Sequence, residues 1–389
     1  MTTTRPEDVG IDSDRLRRLP AAIAADVESD VYDGAVIAVG RHGKLVLHEA
    51  VGYAHRASDR SARTDDVFPI MSLTKSLCTA VILNYFERGK FSLTTQVADI
   101  IPEFSAAAKS RITIAHLMAH TGGMSHGLPP LPPSQIGDLD AFVRAACKMP
   151  PEAPPGKVVS YSPLISQAIL AEVVRRVDDE GRRFSQILED ELFKPLGMVD
   201  TSLGQRADLE ARRVPIVAKD WQEGFLDPEF LESFNELFAE GSEIPAAGGY
   251  STAFDIYRFA EMLRRGGELD GQRILSPLTI EFARQNHTGT KPNHVWTYVR
   301  ELRGWDEWPA YLGLGFYLRG DVLYPDHFGV LASPGTFGHA GVGSAVFWVD
   351  PERDMVFVGL SAGLLEESRS IERWQRLSDI ALSSIVVTD

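Results

Sequence analysis

Hydrophobic positions along this chain change period four times, alternating between helical and strand-like spacing. Residues 12–27 set Leu16, Leu19, Ile23 and Ala24 at helical spacing, with Asp12 or Ser13 as a cap. Two apolar runs, 34–40 and 44–48, then flank Arg41-His42-Gly43 and predict an antiparallel hairpin. From 72 to about 240 the spacing is mainly helical, over 72–88, 112–118, 139–147, 166–177 and 184–193. Proline-rich connections at 127–133 and 150–156 divide that stretch; the first reads as a rigid surface connection, with a rim loop as the alternative. Residues 251–264 return to helical spacing through Phe254, Ile256, Phe259, Met262 and Leu263. Strand-like runs at 343–349 and 355–360 flank the turn signal Asp350-Pro351-Glu352-Arg353-Asp354, and 371–386 closes as a helix. Strands at both chain ends with helices between them predict one sheet built from both ends and a helical lobe inserted into it.

Composition narrows the class. A chain of 389 residues exceeds one ordinary core, so two lobes or one large elaborated domain is expected. The 44% hydrophobic and 24% charged content describes a soluble globular protein. A net charge of -15, with no basic cluster to interrupt it, argues against nucleic acid and anionic membrane surfaces as partners. Cys78 and Cys147 are the two cysteines, which excludes a disulfide framework and fits a reducing compartment. The start, Met1-Thr2-Thr3-Thr4-Arg5-Pro6-Glu7-Asp8, lacks the basic and apolar segments of a secretion signal, and no run approaches a membrane span. The expectation is a cytoplasmic protein.

The most informative tetrapeptide is Ser72-Leu73-Thr74-Lys75, at the head of the apolar run Leu77, Ala80, Val81, Ile82, Leu83, Tyr85 and Phe86. Residues three apart share a helix face, so Lys75 lies over Ser72. A helix apolar nearly all round is central, and its first turn opens into the interior; Gly89 supplies its stop. There a partly desolvated lysine has a lowered pKa and accepts the serine proton, while the helix end favours an oxyanion. The motif by itself is weak, since roughly 0.6 S-x-x-K matches arise by chance in such a chain.

Acyl transfer needs a second proton carrier. Tyr161 stands at the start of a helical segment, and His339-Ala340-Gly341, directly before the strand-like run from Val342, sets a side chain and a backbone N–H along a pocket edge. Three other H-x-G triplets, at His120, His287 and His327, lack that context. Gly249-Tyr250-Ser251-Thr252-Ala253 lacks the second glycine and the strand–elbow–helix setting of an α/β-hydrolase nucleophile. No metal-ligand spacing is present and no cofactor is expected.

Ser72-x-x-Lys75, Tyr161 and His339-x-Gly341 resemble, in order and spacing, the three motifs of the serine beta-lactamase and penicillin-binding-protein superfamily, in its class C-like branch with the family VIII carboxylesterases. The stretches 112–124, 195–201, 247–255 and 338–341 also look alike, and the similarity runs from about Val9 to about Asp379. The resemblance implies an α+β fold of beta-lactamase/transpeptidase type, an antiparallel sheet flanked by helices. Residues 1–71 and 241–389 would form a mixed α/β lobe and 72–240 a mainly helical lobe, with the site between them. It further implies Ser72 as the acylated nucleophile, Lys75 and Tyr161 sharing proton traffic, and the N–H groups of Ser72 and Val342 as the oxyanion hole.

Two departures bear on substrate. The second motif reads Tyr161-Ser162-Pro163 where lactamases carry Tyr-x-Asn, and His339-Ala340-Gly341 stands in place of Lys-Thr-Gly. Both remove polar anchors for penicillin-like molecules. The segment 296–317 is dense in aromatics; core packing accounts for most such clusters, while Trp305 and Trp308 are candidates for an apolar wall together with His339 and Gly341. The reading is therefore a cofactor-independent serine hydrolase for a small or medium ester. An acyltransferase with an alcohol or amine acceptor, an amidase, D-peptidase or weak beta-lactamase, and a catalytically silent binding module are the alternatives.

Overall fold

The two ends of the chain meet in one sheet. The computed structural model describes residues 3–219 and 226–387; positions 1–2, 220–225 and 388–389 of the expected lobes lie outside them. In chain order the strands are β1 (Gly34–Arg41), β2 (Lys44–His55), β3 (Arg60–Ser61), β4 (Phe68–Pro69), β5 (Ser202–Leu203), β6 (Gly249–Ser251), β7 (Glu268–Leu269), β8 (Gln272–Arg273), β9 (Tyr317–Leu318), β10 (Phe337–Gly341), β11 (Ala345–Asp350) and β12 (Met355–Ala362). Seven of them make an antiparallel sheet in the order β3-β2-β1-β12-β11-β10-β9.

The central strands read as unbroken apolar runs because both faces of the sheet are covered. Along β1, Val36 and Ala38 enter the larger core, while Ala35, Ile37 and Val39 enter a second core on the opposite face. The second core is closed by the helices Arg18–Glu28 and Glu367–Leu382, through Leu19, Ile23, Trp374 and Leu377. The helix Ala253–Arg264 packs on the other face, in the core that also holds the helix Thr74–Glu87. The expected hairpin forms with His42 and Gly43 alone in its turn, both at positive φ, which matches the twist of the strands.

Some boundaries move for local reasons. The helix expected over 12–27 is two pieces, Ser13–Leu16 and Arg18–Glu28; Asp12 caps the first through Arg15 N at 2.9 Å. The closing helix begins at Glu367 rather than 371, because Glu366 accepts the N–H groups of Ser368 and Arg369, and it ends at Leu382. The segment 184–193 finishes in a π turn, Glu189–Phe193. Ser251 does lie on a strand that runs into a helix, contrary to expectation, but it is fully buried and bonded to Thr201 Oγ1 at 2.7 Å. Among the described residues no helix is long and apolar enough to cross a membrane.

Candidate active site

Ser72 lies where the chain leaves β4 for the central helix Thr74–Glu87. β4 pairs with β6, and Ile70 N donates to Gly249 O at 2.9 Å, so the backbone is pinned two residues ahead of the serine. Met71 then takes φ +48, a left-handed conformation that is uncommon for a methionine and is sustained by full burial of its side chain. The short 3-10 turn Met71–Leu73 follows. Thr74 Oγ1 donates to Met71 O at 2.6 Å and accepts Gly249 N at 3.0 Å, which locks that turn. Ser72 stays partly exposed while every residue from Leu73 to Leu83 is buried.

Lys75 is 1% exposed, and its Nζ donates to Ser72 Oγ at 3.1 Å and to Ala246 O at 2.8 Å. It also stands 4.9 Å from the centre of the Tyr161 ring. No carboxylate among the described residues pairs with it, so burial dominates and lowers the ammonium to about 7. The amine is thus neutral in a large share of molecules near neutral pH, within hydrogen-bond reach of a hydroxyl.

Tyr161 is held from several sides. Its N–H donates to Asn293 Oδ1 at 3.2 Å, and its ring lies 4.4 Å from that of His120. His120 clamps the flanking backbone, accepting Ser160 N at its carbonyl (2.9 Å) and Ser162 N at Nδ1 (3.2 Å). Burial, with Lys75 beside it, keeps the His120 imidazole far below its usual pKa, so it stays a neutral acceptor. Burial pushes the Tyr161 phenol up, against the opposing pull of the Ser72 and Tyr317 hydroxyls, and the phenol oxygen holds no hydrogen bond among the described residues.

His339-Ala340-Gly341 sits on β10 itself, not ahead of a strand; a turn separates it from β11, which starts at Ala345. A Cβ on Gly341 would lie 2.4 Å from Ile70 O, so only glycine lets β10 approach the serine turn this closely. Ala340, Gly341 and Val342 line the cavity beside Ser72, whereas His339 does not. Its ring is 2% exposed, stacks on Tyr317 at 4.4 Å and 19°, and bonds Ala340 O through Nδ1 at 2.8 Å. Burial and the nearby Lys75 lower it to about 3, so it carries no charge.

Beside Ser72 opens a cleft of about 1010 Å³, its mouth included, walled by Leu164, Leu226, Phe230, Phe234, Val295 and Trp296. Leu128 and His126, from the loop read as a surface connection, also border it, so that loop serves as a rim. Trp305 and Trp308, expected on the wall, lie outside this cleft. The Trp308 ring is stacked on Tyr324 at 5.4 Å and carries Arg300 5.8 Å away, and Trp305 packs 6.2 Å from Trp308; their faces serve packing.

The beta-lactamase family profile matches residues 19–382. The chain belongs to the beta-lactamase family. It is 31% identical over 289 residues to penicillin-binding protein 4 of Amycolatopsis lactamdurans, covering 72% of this chain and 73% of that relative. It is 26% identical over 351 residues to the esterase/beta-lactamase LipL of Mycobacterium tuberculosis, covering 84% and 76%. In three dimensions it is similar to the crystal structure of a family VIII carboxylesterase, with a TM-score of 0.77 at 21% identity over 96% of this chain and 99% of that one. This family member is a serine hydrolase of the beta-lactamase superfamily. Sequence reasoning missed four residues of its site: Met71, His120, Asn293 and Tyr317. Tyr317 carried a signal, as one of the aromatics in 296–317; Asn293, far from Tyr161 in the chain, carried none.

Proposed function

We propose that this beta-lactamase-family hydrolase cleaves small or medium carboxylic esters through an acyl-Ser72 intermediate. The observation that carries the reading is the buried, acid-free Lys75 amine 3.1 Å from Ser72 Oγ. Neutral Lys75 takes the hydroxyl proton as Oγ attacks the ester carbonyl, and the N–H groups of Ser72 and Val342 bind the oxyanion. Collapse breaks the bond to the alcohol oxygen, which takes the Tyr161 phenol proton; Lys75 ammonium then returns its proton to the phenolate. Water repeats the cycle on the acyl-serine and releases the acid. No net proton is gained or lost by the enzyme.

The cleft supports an ester over a beta-lactam. Pro163 has no amide with which to hold an acylamino group, and the uncharged, enclosed His339 cannot anchor a carboxylate. The apolar wall favours a second reading, transfer to an alcohol or amine, because such a wall admits an organic acceptor and disfavours water. Time-resolved intact mass with p-nitrophenyl esters from acetate to octanoate, alongside Ser72→Ala, tests the main reading. Acyl adducts and nitrophenol release in the wild type alone are expected. Neither adduct nor release from folded protein overturns it, and turnover that depends on added alcohol or amine selects the transferase.

A further inference from the structure

Tyr161 presents an unusual combination: a buried phenol oxygen with no hydrogen-bond partner among the described residues, in a site where that oxygen has to give up and recover a proton. A phenolate formed there has the Lys75 ammonium as its counter-charge, and a second donor would hold its buried oxygen in place until that proton is returned. Pro163, two residues on, offers no side-chain donor. Two hydroxyls face that oxygen, and because Ser72 gives up its proton when it attacks, Tyr317 is the one left to donate. It lines the same cleft, and its ring centre lies 6.0 Å from that of Tyr161. β9 fixes its backbone opposite Gly338 of β10, and the His339 ring behind it is stacked at 4.4 Å and 19°.

We propose that Tyr317 is a positioning residue that donates a hydrogen bond to the Tyr161 oxygen as its proton leaves for the alkoxide, with His339 as the platform that aims it. The inference rests on the acyl-Ser72 reading above. The direction of the bond follows from the two phenols' surroundings. Tyr161 stands beside Lys75, which restores its proton, whereas Tyr317 is backed by the uncharged His339 ring, so Tyr161 is the phenol that gives up a proton and Tyr317 the one that keeps its own; the pull of each on the other runs the same way. No proton leaves Tyr317 during the cycle. The third-motif histidine gains a role in the same arrangement, since a buried, uncharged ring away from the cleft wall acts through the phenol it supports.

The test exploits leaving groups. A p-nitrophenolate departs without protonation, whereas an alkoxide needs the Tyr161 proton. For Tyr317→Phe, kcat/KM on an ethyl ester is expected to fall about ten- to a hundredfold, and kcat/KM on the nitrophenyl ester of the same acid to fall at least about fivefold less than that. Retained nitrophenyl turnover also certifies the fold. In Tyr161→Phe the added Tyr317→Phe is expected to cost nothing more on the ethyl ester, because the second residue works through the first. His339→Leu, which removes the platform, is expected to give a weaker loss of the same kind, about two- to tenfold and confined to the ethyl ester. Equal losses on both esters, full additivity with Tyr161→Phe, or no loss at all would overturn the assignment. Should Tyr161→Phe itself show no leaving-group dependence, the acyl-Ser72 reading fails first; dependence in Tyr161→Phe without it in Tyr317→Phe removes this inference alone.

Discussion

Two lysines of this protein are buried to the same degree, and only one of them faces a serine hydroxyl. Lys75 is 1% exposed and Lys109 is 0% exposed; each Nζ lies over an aromatic ring and bonds backbone carbonyl oxygen, and burial lowers both ammonium groups. Lys109 donates to Cys147 O at 2.9 Å and Met149 O at 2.5 Å, stitching the loop that carries it to the end of the helix Leu139–Ala146. Lys75 spends one contact on Ala246 O and the other on Ser72 Oγ, at the edge of a cleft. Burial with a depressed pKa therefore does not make a catalytic amine. A hydroxyl within reach and room for a substrate beside it do.

Removing the charged atom separates the two lysines most sharply. Lys75→Met is expected to lower ester turnover about 10⁴-fold or more, as is Ser72→Ala, with the fold retained in circular dichroism; Lys109→Met should leave kcat/KM near wild type. Significant turnover in Lys75→Met would return the general base to Tyr161. Next in size, Tyr161→Phe should cost about 10²- to 10⁴-fold on alkyl esters, measured as kcat/KM.

The pH dependence sharpens the same contrast. With the neutral amine as the proposed base, kcat/KM should fall about tenfold per pH unit below about 7, as Lys75 takes up its proton. In stability the sign is also fixed. Lys75 moves from an ordinary 10.5 in the unfolded chain to about 7 in the folded one, so the unfolded chain holds the extra proton between those values. Stability then rises with pH across that window, and Lys75→Met should flatten this part of the profile in chemical denaturation. A smaller effect is expected at the other lysine: Lys109→Met leaves the Cys147 and Met149 carbonyls without their ammonium donor and should cost about 1–3 kcal/mol in urea unfolding, without touching the rate. Least of all, Trp305→Phe should change KM less than about twofold, since that ring lies outside the cleft; a larger change would put the aromatic segment back on the substrate wall.

Much of the fold is legible in the sequence because local patterns and global burial agree. The hairpin 34–48, the helix behind Ser72 and the two closing strands follow from apolar spacing and turn residues. Gly89 takes the expected positive φ at the end of that helix. The boundaries that moved did so through single side chains, such as Glu366 capping its helix early, which periodicity does not register. In the site, Ser72 and Lys75 are legible because one helical turn fixes their spacing, whereas Tyr161 is read from the order of the three motifs in the family it resembles. His339 reads from its motif as a pocket-edge residue, yet it is enclosed behind Tyr317, because β9 pairs with β10 and stacks that ring over it.

The sequence by itself determined that a serine and a lysine lie within one turn at the head of a buried helix, and that strands from both ends make the sheet. These are properties of neighbours in the chain, carried by periods of two and 3.6 residues. Why a second buried lysine, Lys109, does not take the same place lay beyond it. Ser105 and Lys109 form a similar local pair, but positive φ at Ala107 and Ala108 breaks any helix that would align them, and that lysine ends on two carbonyl oxygens instead of a hydroxyl. Only the tertiary structure decided which aromatic ring meets Tyr161 and which ring encloses His339. Those contacts join segments far apart in the chain, Ser72 with Tyr161, Tyr161 with Asn293 and Tyr317, and close packing of separate elements sets distances of that kind where local spacing cannot.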